Sequence, residues 1–67
     1  MEKVLLERMQ DKNVKLIIET IMPTGERRAF ASRGRVVEVL GETVTIVDVQ
    51  DKLKLFRLDM ILGVEEF

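Results

Sequence analysis

The sequence predicts a mainly β chain: one small domain of five short strands curled into a bent barrel, with a short N-terminal helix. Three observations predict it. From residue 14 onward, apolar and polar side chains alternate with a period of two. Turn-forming residues cut that alternation into short runs at residues 22–25, 41–42 and 50–52. Two of the runs then change phase partway, which a flat strand with one solvated face does not do.

The first dozen residues carry a different pattern. Leu5, Leu6 and Met9 form a helical stripe, with Val4 beside them and Glu2 near the positive N-terminal end. Asn13 is a candidate for closing that helix in the left-handed cap conformation. The alternative is a strand from Lys3 to Met9, and the stripe favours the helix.

Val14, Leu16, Ile18 and Thr20 then share one face of a first strand. Met22-Pro23-Thr24-Gly25 ends it, because Pro cannot donate to a ladder and Gly supplies turn geometry. A longer second strand runs from Arg27 to Leu40, and Gly34 inside it marks a bulge or a sharp bend. Gly41-Glu42 turns the chain into a third strand, Thr43 to Val49. Gln50-Asp51-Lys52 leads to a fourth, Leu53 to Leu58. Asp59 caps a single helical turn, and Leu62 to Glu65 is a short fifth strand. The phase changes fall at Val44 and Ile46 against Val47 and Val49, and at Leu53 and Leu55 against Phe56 and Leu58. A strand that bends around a small SH3-like barrel and buries each face in turn accounts for both.

Length and composition narrow the function classes. Sixty-seven residues form one domain at most, here 1–67. A core of that size supplies less than about 5 kcal/mol of net stability. The chain has no Cys and no His. Disulfides, zinc sites of the usual ligand types and thiol or imidazole catalysis are therefore removed together. Self-association is the remaining reinforcement, so a homo-oligomer is expected. No run approaches the roughly 20 apolar residues of a membrane span, and Met1-Glu2-Lys3-Val4 does not open a signal peptide. The expected location is cytoplasmic. The chain is 34% charged with a net charge of −1, so nothing draws it globally to nucleic acid.

The whole layout resembles the Sm/LSm/Hfq-like small β-barrel family. The stretch Leu5-Leu6-Glu7-Arg8-Met9-Gln10-Asp11-Lys12-Asn13-Val14-Lys15-Leu16 looks like that family's helix, polar break and first strand. Arg33-Gly34-Arg35-Val36-Val37-Glu38-Val39 looks like its glycine-bent second strand. Leu58-Asp59-Met60-Ile61-Leu62-Gly63-Val64 resembles its closing segment. The loop after the first strand is longer than the family's, with Glu26-Arg27-Arg28-Ala29-Phe30 inserted. The resemblance implies an Sm-like barrel whose copies form a ring that binds RNA.

The sharpest local feature is charge segregation. Arg27, Arg28, Arg33 and Arg35 are four of the six arginines, and no acid falls between them. Guanidinium forks suit phosphate oxygens and stack on bases. Arg33 and Arg35 share a strand face about 7 Å apart, and Phe30 between the pairs offers a stacking surface. The competing account is structural, with arginines guarding an exposed strand against sheet-to-sheet pairing. Arg57 is expected to pair with Asp59 or Glu38. Asp48, Asp51 and Asp59 are a remote candidate for a divalent ion.

No nucleophile is paired with a base, since Ser32 is the only serine and there is no His. The four glycines stand apart, so no phosphate loop is present. The expected function is a non-enzymatic binding module without a cofactor or metal. It self-associates and contacts RNA or single-stranded nucleic acid through Arg27, Arg28, Phe30, Arg33 and Arg35. The alternative is a protein-interaction or assembly module, with apolar residues such as Ile17 and Ile21 left on outer faces for a protein partner.

Overall fold

The computed structural model describes residues 1–67. Its elements are a helix α1 (Lys3–Glu7), β1 (Asn13–Ile21), β2 (Arg27–Leu40), β3 (Thr43–Asp48), β4 (Leu53–Arg57), a 3-10 turn (Leu58–Met60) and β5 (Ile61–Glu66). The five strands form one antiparallel sheet in the order β4-β3-β2-β1-β5. The chain is thus mainly β with a short N-terminal helix. β4 and β5 lie at opposite edges and do not pair, so the sheet is open. No helix is long and apolar enough to cross a membrane.

Alternation sets the core. Val14, Leu16 and Ile18 of β1, Val36 of β2 and Val44 and Ile46 of β3 are fully buried. Leu58 and Ile61 join them from the closing segment. Leu6 of α1 completes the cluster at 0% exposure. Burial of one such leucine stabilises the fold by about 1.5–3 kcal/mol, so the helix is anchored by that side chain. Leu5 of the helical stripe and Val4 beside it stay exposed. Five residues are too few for the helix to bury more than one side of a single turn. It does not reach Asn13 either: turns follow it, Asp11 takes the left-handed conformation (φ 66°), and Asn13 opens β1.

β2 changes partners along its length. Residues 27–35 pair with β1, and residues 34–40 pair with β3. Gly34 sits at the exchange, where the two ladders overlap. A Cβ there would lie 2.4 Å from the Val47 carbonyl oxygen, so only glycine permits this approach. The bulge itself falls three residues later, between Val36 and Glu38. The curl brings Phe30 of β2 toward Phe56 of β4, with ring centres 6.4 Å apart and tilted by 56°.

The phase changes have a different outcome from the one expected. Phe56 and Leu58 face the core, but Leu53 (72% exposed) and Leu55 (64%) lie on the outer face of β4. Val49 lies beyond β3 and is also exposed. The sheet does not wrap far enough to bury both faces in turn, so these residues form exposed apolar surface.

Candidate binding surface and open sheet edges

The pleat of β2 sorts the arginines. Ser32, Gly34 and Val36 are buried and define its inner face. Arg27, Arg33 and Arg35 therefore lie on the outer face, and Arg28 and Phe30 on the inner side. Arg27 stands six residues from Arg33, about 20 Å along a strand. It pairs with Glu19 at 3.6 Å, and Arg28 pairs with Glu26 at 3.6 Å. Phe30 packs toward Phe56. The five expected contact residues do not converge on one surface.

A smaller group does converge. Lys15 is the register partner of Arg33, and Asn13 of Arg35, on the outer face. None of Lys15, Arg33 and Arg35 makes an ion pair. The Arg33 guanidinium lies 5.6 Å from the centre of the Phe67 ring, within cation–π range. Lys15 and Phe67 did not stand out in the sequence. Lys15 was legible as an outward residue of the first strand, but only strand register places it beside Arg33. Phe67 carries no periodic signal. It reaches the patch because its N–H donates to the Asn13 carbonyl at 3.1 Å. Glu65 lies across Lys15 on the other side and limits the patch to a short basic row.

Hydrogen-bond parity shows which backbone groups are free. Met22 N–H donates to Glu26, and Val36 N–H to Lys12. Even-numbered residues of β2 therefore bond to β1, and odd ones point the other way. β3 meets only the lower half of β2, from residue 34 onward. The N–H and C=O groups of Ala29, Ala31 and Arg33 consequently face an open edge, and no hydrogen bond reaches them there. The same parity leaves Leu53, Leu55 and Arg57 facing outward along β4, since Asp48 N–H donates to Lys52 within the β3–β4 hairpin. On β5, odd residues bond to β1, so Val64 and Glu66 face out.

The turn between β3 and β4 is held by Asp48. Its carboxylate accepts from the Gln50 and Lys52 N–H groups at 2.9 Å each, and Lys54 Nζ lies 3.4 Å away. The Lys52 N–H is the main cause holding its carboxyl below the ordinary value of 3.8. Desolvation opposes this, and the Gln50 N–H and Lys54 reinforce it. A depressed carboxyl pKa stabilises the fold above the ordinary carboxylate range, and that contribution disappears as pH falls through the lowered value. Asp48→Asn is expected to melt below the parent at neutral pH, with the gap closing in strong acid. Thermal melts across that range check it, and a gap that stays constant would exclude the charge as its origin.

Asp48, Asp51 and Asp59 do not come together, and no three acidic side chains are placed to hold a metal ion. Asp59 instead pairs with Arg57 at 2.9 Å. Both groups are exposed, so the pair contributes about 0–1 kcal/mol at most. Comparison with protein-family models, curated proteins and solved structures finds no match.

Proposed function

We propose that the chain is a non-enzymatic assembly and binding module, an Sm-like small barrel domain whose copies join edge to edge. One observation carries this: the sheet ends in two unpaired edges with apolar side chains and opposite charge. The β4 edge exposes Leu53 and Leu55 with Lys52 and Lys54 beside them. The β5 edge exposes Leu62 with Glu65 and Glu66 beside it. Lys52 on one edge and Glu65 on the other have no ion pair within the chain. A long unpaired edge is a template for another strand, and joining unlike edges gives a head-to-tail assembly that closes into a ring or extends. A core of nine residues is small, and burying these leucines between copies adds to it.

A second role rests on Lys15, Arg33, Arg35 and Phe67. Three cations free of acid partners beside an aromatic ring suit the phosphates and bases of single-stranded RNA. Repetition around an assembly multiplies a patch that is weak in one copy.

Light scattering tests both roles. The parent is expected to sediment and scatter as an oligomer, and the Leu53→Lys, Leu55→Lys double variant as a monomer with unchanged circular dichroism. A monomeric parent sinks the assembly reading. Added unstructured RNA is expected to raise the mass at about 50 mM salt and less at about 200 mM. An Arg33→Ala, Arg35→Ala variant that still takes up RNA equally would remove the patch as its site.

A further inference from the structure

We propose that the upper half of β2 takes an extended acidic peptide from a partner protein as an added strand. The site is the open edge of β2 at residues 29–33, whose free backbone groups belong to neither β4 nor β5. There the N–H and C=O groups of Ala29, Ala31 and Arg33 point away from β1 and meet no partner. The methyl side chains of Ala29 and Ala31 leave room for a backbone to approach.

The space beside that edge is shaped. A groove of about 570 Å³ runs between Ala31, Ser32 and Arg33 on one wall and Asp48, Gln50 and Lys54 on the other. Ser32 lines it, the residue being only 6% exposed, and its hydroxyl has no hydrogen-bond partner. A buried hydroxyl left unpaired is a polar group that the fold itself does not satisfy. It is the only buried side-chain polar atom in the chain without a partner.

Two features select the ligand class. The first is the sequence of free groups along the edge, donor then acceptor at each alternate residue. A peptide backbone in strand conformation presents the complementary series. A nucleic-acid backbone presents acceptors only and matches half of it. The second is charge. Asp48 is already satisfied by two N–H groups and Lys54. Arg33 has no acidic partner. Lys54 and Asp48 offset one another in the groove, so Arg33 is the charge left to favour an acidic side chain beside it.

The test uses a capped peptide of about eight residues, alternating Glu and Val, a common strand length. Amide exchange and amide chemical shifts of the full-length protein are followed by NMR. The amides of Ala29, Ala31 and Arg33 are expected to exchange quickly in the free protein and to slow about tenfold or more with the peptide. Replacing Glu by Gln in the peptide is expected to weaken binding about fivefold at low salt. Methylating alternate backbone nitrogens of the peptide is expected to abolish it.

Ala31→Pro removes an N–H that the fold does not use, and Pro is accepted at sheet edges. This variant is expected to keep its amide spectrum and lose the peptide response. If it does not fold, the methylated peptide decides the matter on the unaltered protein. Three results would overturn the proposal: unchanged binding of the methylated peptide, shifts confined to β4 and β5, or the same protection produced by a short oligothymidylate. The proposal does not depend on self-assembly, because the free backbone groups it uses belong to β2 and not to β4 or β5. The monomeric Leu53→Lys, Leu55→Lys variant is expected to retain the peptide response.

Discussion

Leu16→Ala is expected to unfold most of the chain at 25 °C in dilute solution. Leu16 is fully buried at the centre of β1, the strand that pairs with both β2 and β5. Removing it costs about 2–5 kcal/mol, the lost transfer energy plus the cavity left behind. A domain of this size has less than about 5 kcal/mol to lose, so the larger part of its stability goes with one side chain. Urea titration followed by circular dichroism measures the loss. The same titration at two protein concentrations adds information about assembly. If copies reinforce one another, the parent's midpoint rises with concentration. A cost under about 1 kcal/mol for Leu16→Ala would mean that the core is not organised around β1.

Gly34→Ala is expected to be the most damaging single-methyl addition in the chain. The new Cβ would stand 2.4 Å from the Val47 carbonyl oxygen and 3.0 Å from its carbonyl carbon. Both are backbone atoms of a paired strand, so neither can swing aside as a side chain would. Relief requires β3 to separate from β2 at the Gly34–Asp48 pair. Overpacking of this kind costs about 1–3 kcal/mol, and a clash with backbone belongs near the upper end. The expected signature is local as well as global: faster amide exchange at Val47 and around the Asp48 turn, with the β1–β5 ladder less affected. Equal stability of the variant and parent would show that β2 and β3 do not approach so closely. The other glycines do not share this constraint. A Cβ at Gly63 meets nothing within 4 Å, so Gly63→Ala provides the control.

These two sites differ in how far the sequence revealed them. Leu16 was legible from the alternation of Val14, Leu16 and Ile18, because a period of two assigns a face directly. Gly34 was legible as a special position within a strand. Its reason was not legible, since the carbonyl it faces lies thirteen residues away on another strand. The bulge belongs to Val37 and not to Gly34, because the register of β3 against β2 sets its place. Leu6 was one of several apolar residues in the N-terminal stripe, and only docking of the helix distinguished it from Val4 and Leu5.

The arginine cluster shows the same division. The sequence identified four arginines without an intervening acid. It also placed Arg33 and Arg35 on one face, and the burial pattern of β2 agrees. Proximity along the chain overstated proximity in space. The pleat sends Arg28 and Phe30 to the inner side, and strand length carries Arg27 about 20 Å from Arg33. Acids from neighbouring segments, Glu19 and Glu26, then engage Arg27 and Arg28.

By itself the sequence determined the class of the chain, the five strands and short helix, and most of the buried face. Those features follow from local propensity and periodicity, which act over a few residues. Only the tertiary structure decided which strands are neighbours, where β2 passes from β1 to β3, and which edges remain open. It also decided that Lys15 and Phe67 join Arg33, and that the Ser32 hydroxyl is buried without a partner. These depend on contacts between residues far apart in the chain. Register fixes such contacts, and no short-range pattern in the sequence specifies register alone.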